Sequence, residues 1–190
     1  MLNTYIYLTP LVRQSYSAEL EGTNSSGNLG AGAIITYTNR NLLRGAESFS
    51  VKTAVSLQTL THVEGISQRF LNTLEASGEL RLDLPKLMIP FYRNDDFVKN
   101  KGPKTQFSIS TSYSKRPDYT RLISNATVGY YWKGGRNNYV THFLNPIEFY
   151  QVRIWDFDPE FMEDIQNYFI RYSYENQFIS VISYDMLFSN

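Results

Sequence analysis

Hydrophobic and polar residues alternate along most of this chain with a period of two. The clearest run is 72–84, where Leu74, Ala76, Gly78, Leu80, Leu82 and Leu84 alternate with Thr73, Glu75, Ser77, Glu79, Arg81 and Asp83. Successive strand side chains point to opposite faces, so this run predicts a strand with one aliphatic and one charged face. Residues 48–58 do the same, with Phe49, Val51, Val55 and Leu57 set against Ser48, Ser50, Lys52, Ser56 and Gln58. Together with 29–38 and the turn 39–47, they predict a β-hairpin. A first strand is predicted where Tyr16, Ala18 and Leu20 alternate with Ser17, Glu19 and Glu21.

The pattern continues downstream. Phe107, Ile109 and Tyr113 oppose Gln106, Ser108, Ser110, Ser112 and Ser114, which predicts a strand over 105–114. Leu122, Ala126, Val128, Tyr130 and Trp132 oppose Arg121, Asn125, Thr127, Tyr131 and Lys133, which predicts another over 121–133. Asn145-Pro146 is expected to split the next into two pieces, about 139–144 and 147–155. Residues 93–105 read as a polar loop, 156–168 as a short helix or acidic loop with Asp158 as its cap, and 169–188 as a last strand rich in Tyr and Phe. The fold class expected is all-β: an antiparallel meander of about seven or eight strands over a single domain, 1–190.

Composition sharpens this reading. Aromatic residues make up 15% of the chain, with 15 Tyr, alongside many Ser and Thr, as strands favour. The 18 basic and 18 acidic residues balance, which argues against nucleic acid as a partner. With no cysteine there is no disulfide framework, thiolate metal site or cysteine nucleophile. His62 and His142 are too far apart in sequence to suggest a metal site. No apolar run reaches the length of a transmembrane helix. The N-terminal residues lack the features of a signal peptide, so any export signal is expected upstream.

Candidate chemistry is sparse. Catalytic and nucleotide-binding motifs are missing, so a protein without enzymatic activity, metal or cofactor is expected. Gly30 and Gly32 form a GxG, but no helix is predicted to follow as a phosphate loop requires. Glu75, Glu79, Arg81 and Asp83 share one strand face. They could act as a carboxylate cluster for acid–base chemistry or Ca²⁺, but alternation already explains their spacing, and a paired polar face is the plainer reading. Asp156 and Asp158 read as loop acids, and Arg44-Gly45 as a turn. The aliphatic face of 72–84 runs for about 11 residues, close to the ~9–11 that a tilted strand needs to cross a bilayer. The LMIPFY stretch after it suits a membrane interface.

Several stretches in order resemble one family: RQSYSAELEGTNSSGNLG, YTNRNLLRGAESFSVKTAVSLQT, NTLEASGELRLDLPKLMIPF, SYSKRPDYTRLISNATVGYYWK, THFLNPIEFYQVRIW and IRYSYENQFISVISYDMLF. Together they are similar to the β-barrel of the BamA/TamA superfamily of outer-membrane assembly factors, also called bacterial surface antigens. The resemblance implies the first half of a transmembrane barrel of about sixteen strands, without the POTRA domains that precede the barrel in that family. It implies the outer membrane of a Gram-negative-type bacterium as location. The implied partners are outer-membrane lipid, client β-barrel proteins and accessory assembly subunits. The implied function is insertion or export of outer-membrane proteins through a lateral gate. By the same mapping Ser15, Tyr16, Ser17, Ala18, Glu19, Leu20 and Glu21 correspond to the gate strand, and Glu75, Glu79, Arg81 and Asp83 face the lumen. The residues alone also fit two other readings: a soluble antiparallel binding module (a sandwich or lipocalin-like fold) and a passive outer-membrane barrel.

Overall fold

The computed structural model describes residues 5, 7, 12–25, 28–59, 72–89, 95–135, 139–158, 172 and 174–189. Eight strands follow one another: β1 (Gln14–Ser25), β2 (Asn28–Arg40), β3 (Ser48–Gln58), β4 (Thr73–Leu84), β5 (Lys104–Lys115), β6 (Thr120–Gly134), β7 (Val140–Trp155) and β8 (Gln177–Phe188). All lie in one sheet in sequence order, each antiparallel to the next. The expected all-β meander is therefore the fold, as an open sheet whose edges are β1 and β8 rather than a closed barrel.

Register extends the alternation across the whole sheet. Tyr16, Tyr37, Val51, Leu80, Ile109, Ala126 and Phe149 form one continuous row of cross-strand partners. Every member of that row lies on the same face, because each strand keeps its period of two. The opposite face is polar from β1 to β5 apart from Ile34 and Ala54, and becomes mixed from β6 to β8, where Ile123, Phe143, Val152, Ile154, Ile179 and Val181 lie on it.

The sheet has no second layer among the described residues. Their buried apolar side chains are Leu84, Tyr119 and Ile154, which form no core. Leu20 is 90% exposed, Ile109 62% and Leu80 48%. The chain exposes 14619 Å², against about 9,300 Å² for a compact monomer of its mass. A sheet normally buries its apolar face against another layer; this one leaves it open.

Three expectations change. Residues 93–105 are not simply a loop, because Asp95–Lys101 form helix α1. Acids begin this helix and Lys99 and Lys101 end it, as the helix dipole favours. It stops at Gly102, whose φ of 51° is left-handed and whose amide donates to the Val98 carbonyl at 3.2 Å, with Pro103 next. β7 is continuous through Asn145-Pro146, with a bulge there in place of a break. The last strand begins at Gln177 and not at 169. Of the expected short helix or acidic loop over 156–168, residues 159–168 lie outside the described residues, and 156–158 are not helical, as either form with Asp158 as cap would have them.

Two local devices shape the strand ends and the bulge. In the β2–β3 turn Asn41, Arg44 and Ala46 all have left-handed φ. The Ala46 amide donates to Asn41 Oδ1 at 3.1 Å, and the Gly45 amide donates to Glu47 Oε2 at 2.9 Å. A side chain at Gly45 would collide with that carboxylate, so Arg44-Gly45 serves the turn. At the β7 bulge Asn145 Nδ2 donates to Glu148 at 2.8 Å and to Ser183 at 3.0 Å. Across from it Gly129 leaves room for the Asn145 amide, which a Cβ would meet at 2.5 Å.

Candidate functional site

The feature that sets this molecule apart is its open apolar face. Its middle is aliphatic: Ala33 and Ile35 on β2, Val51 and Val55 on β3, Ala76 and Leu80 on β4, Ala126 and Val128 on β6. Aromatics border it toward the strand ends. Tyr16 and Tyr37 meet at 4.9 Å, and Phe49, Phe107, Tyr130 and Trp132 continue the same border. On the other side Tyr113 and Trp155 lie 6.4 Å apart.

This border does not follow the register rows; it climbs across them. Tyr37 lies in the row of Leu80, while Phe49 and Phe107 lie one row further, in that of Leu82. Tyr130 lies in the row of Leu84, and Trp132 one beyond. From Tyr37 on β2 to Trp132 on β6 the border rises three rows over four strand-to-strand steps. At two residues per row and ~3.3 Å per residue the rise is about 20 Å, and four steps of ~4.8 Å make about 19 Å. The border therefore cuts the strands' perpendicular at roughly 45°.

At one end of the sheet the chain folds back onto this face. The Met88 amide donates to Thr105 Oγ1 at 2.8 Å, and that hydroxyl donates to the Lys86 carbonyl at 2.8 Å. Tyr130 donates its hydroxyl hydrogen to the Met88 carbonyl at 3.0 Å. Phe97 of α1 comes to 6.1 Å from Trp132. Leu87, Ile89, Phe97, Tyr130, Trp132 and Leu144 line an open pocket of about 260 Å³.

The charged residues singled out on β4 do share the polar face, and Glu75, Arg81 and Asp83 are ion-paired. Arg81 Nε donates to Asp83 at 3.0 Å, and Glu79 lies opposite Lys52. Glu75 accepts from Ser114 Oγ at 3.2 Å and from Arg116 at 3.5 Å. Among the described residues no group of three or more His, Cys, Asp or Glu is placed to hold a metal ion. His142 lies on the apolar face, stacked between Trp132 and Tyr184, with Nδ1 at 2.7 Å from the Tyr184 hydroxyl; His62 lies outside the described residues. Gly30 and Gly32 sit inside β2, where the Thr23, Glu21 and Gln58 side chains use the space they leave.

The Asp156 and Asp158 region packs on the β5–β6 turn. The Asp158 amide donates to the Asp118 carbonyl at 2.9 Å. Burial, then the nearby Asp158 charge, pushes the Asp118 carboxyl up. Burial likewise raises Tyr174, whose ring meets Tyr119 edge-on at 5.3 Å.

The proposed gate residues, Ser15 to Glu21, all lie within β1, hydrogen-bonded to β2 on one side and at the sheet's edge on the other. No helix among the described residues is long and apolar enough to cross a membrane, which says nothing of crossing by strands. Fold and site together define a class: a single-layer antiparallel sheet with one apolar, aromatic-bordered face, one largely polar face and two open edges. Compared with known proteins, the chain matches no family, curated protein or solved structure.

The helix and the fold-back were missed in the sequence. The signals for the helix were present: Asp95-Asp96 at its start, Lys99 and Lys101 at its end, then Gly102-Pro103. The Thr105 contacts had no sequence signal, because they join residues 17 and 19 positions apart through one hydroxyl.

Proposed function

We propose that this chain forms part of the wall of an outer-membrane β-barrel, with its apolar face toward lipid and its polar face toward the lumen. The diagonal course of the aromatic border carries this reading. Barrel strands tilt by about 35–45° from the membrane normal, so a flat bilayer interface crosses their register rows at that angle. The border's angle of roughly 45° matches that geometry. Strands of 11 to 16 residues are long enough, since ~9–11 residues cross the hydrocarbon. The charges of Glu75, Glu79, Arg81 and Asp83 on the other face suit a wet interior.

The role within that class follows from the edge. β1 offers unpaired backbone N–H and C=O groups along its outer side, which an incoming strand can satisfy by β-augmentation. With the resemblance to the BamA/TamA superfamily, this supports a role in inserting or exporting outer-membrane proteins. The mechanism needs neither a catalytic side chain nor ATP. Client barrels add a strand at β1, lipid covers the apolar face, and accessory assembly subunits are the remaining partners.

Two measurements test the reading. The first is the detergent requirement of the purified protein: a folded, monodisperse protein in plain buffer overturns the membrane assignment. The second is depletion of the protein from its own cell, followed by assays of outer-membrane assembly. Accumulation of unfolded barrels is expected, and normal assembly of other barrels overturns the insertion role while leaving a passive barrel standing.

A further inference from the structure

β1 and β8 are the two edges of the sheet, and each is a strand of 12 residues. β8 carries none of the usual guards of an exposed edge. It has no proline and no lysine, and Asp185 is its one charge. It is apolar on both faces. Phe178, Ile182 and Phe188 are 70%, 75% and 71% exposed on one, and Ile179, Val181 and Leu187 lie on the other. An edge of this kind is a template for another strand. Lipid makes the demand stricter, because no water reaches the hydrocarbon to satisfy the N–H and C=O groups of an open edge.

The number of strands selects the partner edge. Neighbouring strands alternate in direction, so the eighth runs opposite to the first. A second copy turned about the membrane normal therefore brings its β1 antiparallel to β8, with the apolar faces of both copies on one side. Pairing β8 with β8, or β1 with β1, needs a twofold axis in the membrane plane, which points the two copies in opposite directions across the bilayer. Closure of one copy on itself is not the arrangement seen, since β1 and β8 are not paired with each other. A ring of eight strands has an interior that side chains fill, whereas sixteen leave an aqueous channel. The polar face, with Lys52 opposite Glu79 and with Glu75, Arg81 and Asp83 beside them, suits the channel.

Building on the membrane reading above, we infer that two copies of this chain close one ring of sixteen strands, with β8 of each paired to β1 of the other. The wall is incomplete without the second copy, which supplies the strand that each edge lacks. Both edges are covered in the resting assembly, and a client strand reaches β1 by parting a seam.

The chain has no cysteine, so introduced thiols are the only ones present. Leu20 lies on the apolar face, as do the even-numbered residues of β8, and opposed cysteines on paired strands come within disulfide reach. Leu20→Cys is combined in turn with Ile182→Cys, Tyr184→Cys, Met186→Cys and Phe188→Cys, and each variant is oxidised after reconstitution in phosphatidylcholine vesicles. A covalent dimer is expected at one register, several-fold more abundant than at the others. The same dimer should form when copies carrying only Leu20→Cys are mixed with copies carrying only that β8 cysteine, and neither single variant should link by itself. Native mass spectrometry of the unaltered protein in detergent micelles should give twice the mass of one chain. A link within one chain, a link in a single variant, no link at any register, or a mass other than two chains overturns the ring and leaves the membrane reading standing. A folded, monodisperse protein in plain buffer overturns both.

Discussion

Thr105 and Met88 are joined by a hydrogen bond of 2.8 Å from the Met88 amide to the Thr105 hydroxyl, which in turn donates to the Lys86 carbonyl. Thr105 is fully buried. One hydroxyl thus satisfies two backbone groups and pins the chain after β4 onto the apolar face. Thr105→Val keeps the shape and removes both part-buried bonds, at a cost of about 0.5–1.5 kcal/mol for each. The expected outcome is faster tryptic cleavage after Lys86, Lys99 and Lys101, with strand content unchanged. Cleavage at the wild-type rate would mean that the pin does not hold the segment.

The two faces of β4 make opposite predictions. Leu80 is on the apolar face and Ser77 on the polar one. In a bilayer Leu80→Arg should cost about 2–4 kcal/mol if Leu80 lies near the midplane, because a charge there loses its water. Ser77→Arg should cost much less. Denaturant titration of the protein folded into vesicles measures both. Equal tolerance would invert the assignment of the faces.

The bulge in β7 rests on a glycine in β6. Gly129→Ala places a methyl group 2.5 Å from Asn145 Oδ1, so the amide must turn away from Glu148 and Ser183. Losing these partners should lower stability by about 1–3 kcal/mol. Asn145→Ala in the same background should then add little, since its bonds are already gone. Full additivity in a double-mutant cycle would show that the two positions are uncoupled.

Glu47 gives the β2–β3 turn a sensitivity to acid. Hydrogen bonds from its own amide and from that of Gly45 hold its carboxyl below the ordinary value of 4.5. A lowered folded pKa means that the unfolded chain binds the proton more readily, so the stabilisation is complete above 4.5 and is lost as pH falls through the depressed value. The protection of the Gly45 amide against hydrogen exchange, taken relative to its intrinsic rate at each pH, should fall over that acid range in the wild type. Glu47→Gln should exchange faster at neutral pH and show no such acid step. An acid step that survives in Glu47→Gln must come from another carboxylate.

Much of this protein was legible strand by strand. Alternation at Leu74–Leu84 and at Phe49–Leu57 named the face of every residue on β4 and most on β3, and the register agrees with it. The polar grouping of Glu75, Glu79, Arg81 and Asp83 was equally visible, because residues two apart on a strand share a face whatever lies beside them. Pro146 misled the reading: its missing N–H suggested a broken strand, but a bulge with Asn145 bonded to Ser183 absorbs it. Helix α1 hid in a segment of only 7 helical residues, too short for a periodic pattern.

Sequence alone therefore determined which side of each strand is apolar and that neighbouring strands form a meander, since a two-residue period is local and acts within one strand. Tertiary structure decided how far each strand is shifted against the next. That shift depends on pairing between segments and on the turns that join them, and no single strand records it. It turns the separate patterns of β2 to β6 into one border at roughly 45°, and it brings Leu87 and Phe97 together with Trp132 to form a pocket that none of those stretches contains by itself.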